Sequence, residues 1–317
     1  MITYTDPHYR TFTNLRLSLT DACNLNCVYC TLGNEDETMA DHRPQQPASF
    51  FIDLIAKLQQ QLKLESIRLT GGEPLLYRHL PQLIQGLQQL NIQDIKMTSN
   101  GFLLERQAQV LKLAGLAAIN ISLDAMDEGV FLEITKRKNL KRVLAGIDAA
   151  LQCGLSVKLN AVIIKGINEN QILPLLNFAF EKNIPIRFLE IMAMGHLYHN
   201  THNHFFSQQQ ILNTIATQYQ FEPIARKSSA TANYWRTNEG HVFGIIANET
   251  TPFCHDCNRL RLDAKGNIYG CLSNNNPIFI DSNLPQYALA QKIQAAMQQK
   301  QVHKFAGSEL SMLQIGG

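Results

Sequence analysis

Six of the seven cysteines fall into two short groups, and each group is one ligand short of a closed metal site. Cys23, Cys27 and Cys30 form a Cys-x3-Cys-x2-Cys run, while Cys254 and Cys257 form a Cys-x2-Cys pair completed by Cys271. A [4Fe–4S] cluster normally takes four thiolates, one per iron. Three thiolates leave one iron open to bind a small molecule and do chemistry on it, and two such sets suggest an enzyme that brings two ligands together. Zinc is the alternative. Its structural sites fill all four positions, usually with separated ligand pairs, which fits the first run poorly. At the second group His255 could be a fourth ligand, and there spacing leaves zinc and iron–sulfur equally open.

Two further groups bear on chemistry. Thr70-Gly71-Gly72-Glu73-Pro74 has paired glycines that let backbone approach a ligand closely, and Glu73 could receive an ammonium group. Arg259 and Arg261 lie two apart just after Cys257, so on a strand they project from one face. Two parallel guanidiniums beside a cluster would hold a polyphosphate. Taken alone, the first is an ordinary turn and the second an Arg pair on a solvated edge.

The elements that must position these residues alternate along the chain. Strands are expected at Leu15–Leu19, Ile67–Leu69, Ile95–Thr98, Ala118–Leu123, Val157–Ile163 and Ile186–Ile191. Helices are expected between them at Phe50–Leu62, Leu80–Leu90, Leu104–Ala114, Leu140–Leu151 and Ile172–Glu181. Alternation of this kind predicts an α/β fold of parallel β/α units with helices outside. About six units are too few for a closed eight-fold barrel, so an open, partial barrel is expected, with ligands at the C-terminal ends of its strands. The alternation stops beyond Gln220. Short strand-like pieces at His241–Ile246 and Leu260–Asp263 bracket the second cysteine group. The division expected is therefore residues 1–220 as the partial barrel and 221–317 as a smaller cluster-bearing domain with a Gly316-Gly317 tail. Tyr198–His204 reads as a polar loop, and Cys153, at the end of an apolar helix face, as a buried inert thiol.

The 317 residues are 45% hydrophobic and 17% charged with a net charge of +2, as for an ordinary soluble globular protein. The total charge calls for neither nucleic acid nor membrane, so an anionic ligand must be met by local basic residues. The N-terminal stretch has no apolar signal-like core, and no apolar run approaches the ~20 residues of a membrane span. A cytoplasmic location is expected, where clustered cysteines read as metal-binding or catalytic. No P-loop or Ser/His/Asp arrangement supports a hydrolase.

The Cys-x3-Cys-x2-Cys loop after the first strand, with Gly-Gly-Glu-Pro after the second, resembles the radical S-adenosylmethionine (SAM) superfamily. In that superfamily the open iron chelates the amino and carboxylate groups of SAM, and an electron from the cluster cleaves SAM to a 5′-deoxyadenosyl radical. The resemblance implies that Cys23, Cys27 and Cys30 ligate the cluster and that Gly72 lies on the methionine moiety.

From Arg16 to Gly317 the chain is similar to the GTP 3′,8-cyclase family of molybdenum cofactor biosynthesis. The landmarks include Arg68-Leu69-Thr70-Gly71-Gly72-Glu73-Pro74, Thr98-Ser99-Asn100-Gly101, Asn120-Ile121-Ser122-Leu123-Asp124, Val157-Lys158-Leu159-Asn160, Arg187–Met192 and Phe253-Cys254-x2-Cys257-Asn258-Arg259-Leu260-Arg261. The resemblance implies a second [4Fe–4S] cluster on Cys254, Cys257 and Cys271, whose open iron takes the guanine of GTP. It implies that the radical abstracts the ribose 3′ hydrogen and that the ribose carbon then attacks C8, giving (8S)-3′,8-cyclo-7,8-dihydroguanosine 5′-triphosphate. Arg16, Arg68, Thr98, Lys158, Arg259, Leu260 and Arg261 match GTP-binding positions of the family. Tyr29, Gly72, Ser122 and Met192 match SAM-binding positions, and Gly316 and Gly317 a tail that enters the active site and assists catalysis. The implied partners are an electron donor such as a flavodoxin-type reductant and the downstream cyclic pyranopterin monophosphate synthase. Oligomeric state is left open, a homodimer included.

The chain departs from the family pattern at Ala22, at Thr31-Leu32, at Ser66 and at Gln314. These departures touch no cluster ligand and bear on substrate affinity. A radical SAM enzyme with an auxiliary cluster acting on another substrate is the alternative.

Overall fold

The computed structural model describes residues 5–31 and 45–316. Its first half alternates β1 (Asn14–Ser18), α1 (Ala48–Leu62), β2 (Ser66–Thr70), α2 (Leu80–Gln89), β3 (Asp94–Ser99), α3 (Leu104–Ala114), β4 (Ala118–Ser122), α4 (Glu128–Thr135), α5 (Leu140–Gln152), β5 (Ser156–Ile163), α6 (Ile172–Glu181) and β6 (Ile186–Glu190). Each strand pairs in parallel with the next, from β1 through β6. The expected six-unit partial barrel is present, with every predicted strand and helix in place to within two residues at either end.

One period-2 pattern builds this sheet. Leu15, Leu17, Ile67, Leu69, Ile95, Met97, Ile119, Ile121, Val157 and Leu159 point outward and are buried under the helices. The helices answer with stripes at helical spacing, as in α1, where Phe51, Leu54, Ile55, Leu58 and Leu62 are the buried residues. Each such side chain contributes about 1.5–3 kcal/mol on burial. The alternate strand positions face the barrel interior, and there the chain is polar and basic.

Past β6 come α7 (Gln208–Ala216), β7 (Phe221–Ile224), β8 (Asn233–Thr237), β9 (Val242–Ile246), β10 (Arg259–Leu262), β11 (Asn267–Tyr269), β12 (Ile278–Phe279), α8 (Gln286–Gln298) and α9 (Met312–Ile315). These strands build no sheet of their own. β9 pairs in parallel with β6 and β10 in parallel with β1, giving one twelve-stranded sheet in the order β12-β11-β10-β1-β2-β3-β4-β5-β6-β9-β8-β7. The C-terminal segment therefore extends both edges of the barrel, and its Ile245, Leu260, Leu262 and Ile268 join the same core as Leu15 and Ile67. No helix among the described residues is long and apolar enough to cross a membrane.

Candidate active site

The inward strand positions carry a row of cations. Arg261, Arg16, Arg68 and Lys96 stand in register across β10, β1, β2 and β3. Farther round, Thr98, Asn120 and Lys158 are aligned, and Asn160 is paired with Arg187. A β/α barrel ordinarily fills its interior with branched apolar side chains. Here a cavity of about 650 Å3 takes that space.

The cations crowd one another. Burial, followed by repulsion from Arg261, Arg68 and Arg259, pushes Arg16 well below its ordinary value. Burial brings Arg68 and Arg261 down to about 10. Guanidiniums stay protonated even so, and the cavity keeps a positive field. Lys96 is paired with Asp94 at 2.5 Å, and Arg187 donates to the amide oxygen of Asn160 at 2.7 and 2.9 Å. Asn120, in the amide orientation that satisfies both neighbours, accepts from Arg68 and Arg187 at 2.9 and 2.7 Å. Nη2 of Arg259 is buried without a hydrogen-bond partner. An anion with many acceptor oxygens would satisfy this group.

The first cysteine group lies on the loop that leaves the C-terminal end of β1. That loop is tied from two sides. Asn26 and Val28 donate their N–H groups to Thr135 and Ile134 at the end of α4. Gly72 and Glu73 donate theirs to the carbonyls of Thr20 and Ala22 at 2.7 and 2.8 Å. A Cβ on Gly71 would stand 2.6 Å from the Thr20 oxygen, and one on Gly72 2.2 Å from the Ala22 oxygen, so this close approach requires glycine at both positions. Glu73 does not face the cavity, which corrects the expectation that it receives an ammonium. It is 1% exposed, and its carboxylate accepts from Leu75 N, Ser99 Oγ and Asn100 N at 2.8–2.9 Å. Burial raises it to about 7 against those three bonds. It thereby fixes Asn100, whose Nδ2 donates to Asn24 at 2.8 Å and lies 3.9 Å from the Cys23 sulfur. Tyr29 donates its hydroxyl to Asp124 at 2.7 Å, and Asp124 also accepts from Val162 N.

Burial, with the charge of Glu73 behind it, pushes the Cys23 thiol up to about 12; Cys27 and Cys30 are raised by burial and by neighbouring thiols. Three free thiols converge on one cavity wall and influence one another, as the ligand set of a three-cysteine cluster must. Protons leave such thiols when metal binds.

The second group sits at the opposite end of the barrel. Cys257 precedes β10, β10 runs parallel to β1, and β11 returns antiparallel so that Cys271 comes back beside Cys257. β1 is five residues long, and at ~3.3 Å per residue the two ends of the barrel are ~16 Å apart. The first group therefore lies at the C-terminal strand ends, where ligands are expected, and the second group at the other end. Arg10 donates to the carbonyls of Cys254 and Gln301, Arg226 grips Asp256 with two bonds at 2.6 and 2.7 Å, and Lys300 donates to the Cys257 sulfur at 3.0 Å. His255, the residue a zinc set would recruit, has a side chain 67% exposed and outside the cavity lining. Burial alone would raise the Cys257 thiol, but Arg259 and Lys300 bring it down to about 6, whereas burial and the other two thiols raise Cys254 to about 11.

Helix α9 borders the cavity. Met312 and Leu313 line it, and Gly316 is buried with its carbonyl oxygen accepting from Arg261. Gln314 acts locally, since its side chain accepts from Ser311 N at 2.9 Å and closes a capping box on α9.

Two family models cover most of the chain: the Radical SAM superfamily over residues 17–179 and Molybdenum Cofactor Synthesis C over residues 184–305. The GTP 3′,8-cyclase of Staphylococcus epidermidis RP62A is 39% identical over 273 residues, 83% of this chain and 79% of that one. Those of Synechocystis (36% identical; 88% and 84% covered) and Staphylococcus aureus JH9 (38% identical; 91% and 88% covered) are similar over as much or more. The chain belongs to the GTP 3′,8-cyclase family of radical SAM enzymes.

Membership of the radical SAM superfamily implies a [4Fe–4S] cluster and SAM, and the Cys23/Cys27/Cys30 loop fits that group. The fold is shared with more distant solved structures. Streptococcus suis SuiB bound to its precursor peptide SuiA superposes with a TM-score of 0.68 at 16% identity, over 92% of this chain and 67% of that one. Native anSMEcpe with bound AdoMet gives 0.64 at 12% identity, over 89% and 82%.

Of the residues singled out in the sequence, the six clustered cysteines, Tyr29, Gly72, Ser122, Met192, Arg16, Arg68, Thr98, Arg259 and Arg261 all line the one cavity. Lys158 does not line it; it is half-buried beside Arg187 and Arg68, and burial and their charges lower it. Leu260 is fully buried in the apolar core, so only its backbone is available on the inner side. Gly317 lies outside the described residues. Cys153 is half-buried at the end of α5, with its sulfur 3.3 Å from the Ala150 carbonyl. His196, just before the expected loop, touches the Val28 carbonyl at 2.9 Å. Arg187, Lys227, Lys300 and Asn160 also line the cavity; Arg187 and Asn160 fall within family landmarks without a role assigned to them there, and Lys227 and Lys300 fall in no pattern at all. A lone basic residue in sequence looks like a solvated charge. The available signal is Arg187 standing between Ile186 and Phe188 in a buried strand.

Proposed function

We propose that the enzyme converts GTP to (8S)-3′,8-cyclo-7,8-dihydroguanosine 5′-triphosphate. The observation that carries this reading is the in-register row Arg261, Arg16, Arg68 and Lys96, suspended between two cysteine triplets at opposite ends of one cavity. A triphosphate supplies the negative charge that the three arginines of this row lack, Lys96 already being paired with Asp94. The other end of such a substrate would then reach a triplet.

The first cluster with SAM supplies a 5′-deoxyadenosyl radical, and a second [4Fe–4S] cluster on Cys254, Cys257 and Cys271 supplies an open iron for the guanine. The protein's own groups do the rest. Arg16, Arg259 and Arg261 clamp the triphosphate, with Arg68, Thr98 and Lys158 behind them. Tyr29, Gly72, Ser122 and Met192 form the SAM side of the cavity, and Asn100, fixed by Glu73, supports the Cys23 end. The Gly316-Gly317 tail assists catalysis, with the Gly316 carbonyl held by Arg261. Enclosure keeps water from the radical and holds ribose and base in attacking geometry. On the nucleotide, loss of the 3′ hydrogen, closure of the C3′–C8 bond and uptake of one electron and one proton balance, and reductive cleavage of SAM takes a second electron. Both electrons come from a one-electron donor such as a flavodoxin-type reductant, and the product passes to a cyclic pyranopterin monophosphate synthase.

The test is anaerobic turnover of the reconstituted enzyme with SAM, dithionite and GTP. Equal amounts of 5′-deoxyadenosine and cyclised nucleotide, both dependent on GTP, are expected. Deoxyadenosine with unchanged GTP would send the search to another substrate.

A further inference from the structure

The two triplets face opposite kinds of neighbour. Near the first are carboxyls, Glu73 and Asp124. Near the second are cations, Arg259 and Lys300. Lys300 makes the direct contact: its Nζ lies 3.0 Å from the Cys257 sulfur and 2.8 Å from the Arg259 carbonyl oxygen, and 5.5 Å above the Phe12 ring.

The ammonium is fixed by its surroundings. Lys300 follows α8, and its backbone N–H donates to Met297 at 3.1 Å. The end of α8 is seated against the strand that delivers Cys271. Gln299 accepts from Gly270 N at 3.0 Å, and a Cβ on Gly270 would stand only 1.7 Å from the Ala296 oxygen. Lys300 and two of the three second-group thiols are thus built into one rigid corner.

Cluster reduction potentials depend on net charge and on hydrogen bonds to the sulfurs, and a donor that is also a cation favours the more negatively charged, reduced state. We propose that Lys300 raises the reduction potential of the cluster held by Cys254, Cys257 and Cys271, through its charged N–H···S bond to Cys257. This rests on the two-cluster reading given above. Its consequence is that an electron reaching the chain is shared unequally between the clusters, in favour of the second.

The test is an EPR-monitored redox titration of the reconstituted holoenzyme over the one-electron couple of each cluster. A variant with Cys23, Cys27 and Cys30 changed to Ser assigns the second signal. Lys300→Met is expected to lower the second midpoint by at least a tenfold change in the reduced-to-oxidised ratio, about 59 mV for one electron. The first midpoint should stay where it is, and Lys300→Arg should restore most of the shift. An unmoved second midpoint, or equal shifts of both clusters, overturns the proposal. If Lys300→Met does not hold the second cluster, Lys300→Gln is compared with Lys300→Arg. A lower midpoint in the Gln variant supports the charge, and equal midpoints overturn it. Wild-type protein with zinc at the second triplet, and about four irons per chain instead of about eight, would refute the two-cluster reading itself before any variant is made.

Discussion

Arg261 donates a hydrogen bond to the carbonyl oxygen of Gly316, so a strand of the barrel wall holds the residue that follows α9. The contact spans 55 residues of sequence and joins a proposed triphosphate ligand to the proposed catalytic tail.

Gly316 has φ +77 and packs so tightly that a Cβ would lie 2.5 Å from Thr70 Oγ1 and 2.9 Å from Ser18 Cβ. Gly316→Ala therefore combines a clash with a backbone cost of ~1–3 kcal/mol. The variant should fold and load iron as the wild type does, yet form cyclised nucleotide at least tenfold more slowly. Thermal unfolding, iron content and product formation, measured together, check this.

Arg259 and Arg261 carry the proposed grip on the triphosphate. Charge-assisted hydrogen bonds contribute ~1.5–3 kcal/mol each. Changing both residues to Ala should weaken GTP binding roughly a hundredfold or more by calorimetry. Uncoupled SAM cleavage, which needs only the first triplet, should survive. Unchanged GTP affinity would sink the triphosphate site.

The six units are legible in the sequence because inward and outward positions differ so plainly: Leu15, Leu17, Ile67 and Leu69 out, Arg16 and Arg68 in. The placement of the second triplet at the far end of the barrel is not legible. It depends on β10 finding β1 across about 240 residues, a pairing that no local periodicity encodes. The same holds for Lys300, whose partner Cys257 is 43 residues away. Helix α4 is hidden for another reason. It is only 8 residues long, too short for a clear stripe, although its last carbonyls hold the first cysteine loop. A carboxylate beside two glycines invites a ligand role for Glu73. The three donors that claim it instead come from the turn that follows it and from the end of β3.

Glu73→Ala tests that corrected role. It leaves buried donors on Leu75, Ser99 and Asn100 unpaired at ~1–3 kcal/mol each. The expected result is a loss of roughly 3 kcal/mol or more in urea unfolding of the apo protein, with poor loading of the first cluster. Wild-type stability with weakened SAM binding would return Glu73 to the ligand role.

Cys271→Ser removes a thiol of the second triplet, a ligand of the proposed second cluster, and leaves the first triplet untouched. SAM cleavage should persist and cyclisation should stop. Loss of uncoupled SAM cleavage in this variant would contradict separate roles for the two triplets.

In the apo protein Cys257 is the thiol brought down to about 6, against about 11 for Cys254 and about 12 for Cys23. The thiolate is the nucleophile, so its alkylation rises as pH climbs through its own value. Iodoacetamide labelling followed by peptide mapping should show Cys257 modified with a midpoint near pH 6 and a plateau by about pH 8. Cys23 and Cys254 should stay slow across that range. Equal labelling of the three at about pH 7 would contradict the assigned surroundings.

In the proposed reaction this cavity directs a radical to the 3′ position of GTP, and isotope transfer checks that step. Reduced, reconstituted enzyme is given SAM and GTP carrying deuterium at the ribose 3′ carbon. The prediction is that 5′-deoxyadenosine gains one deuterium while the cyclised nucleotide has lost it. Unlabelled deoxyadenosine, or product that keeps the 3′ deuterium, would contradict the claim.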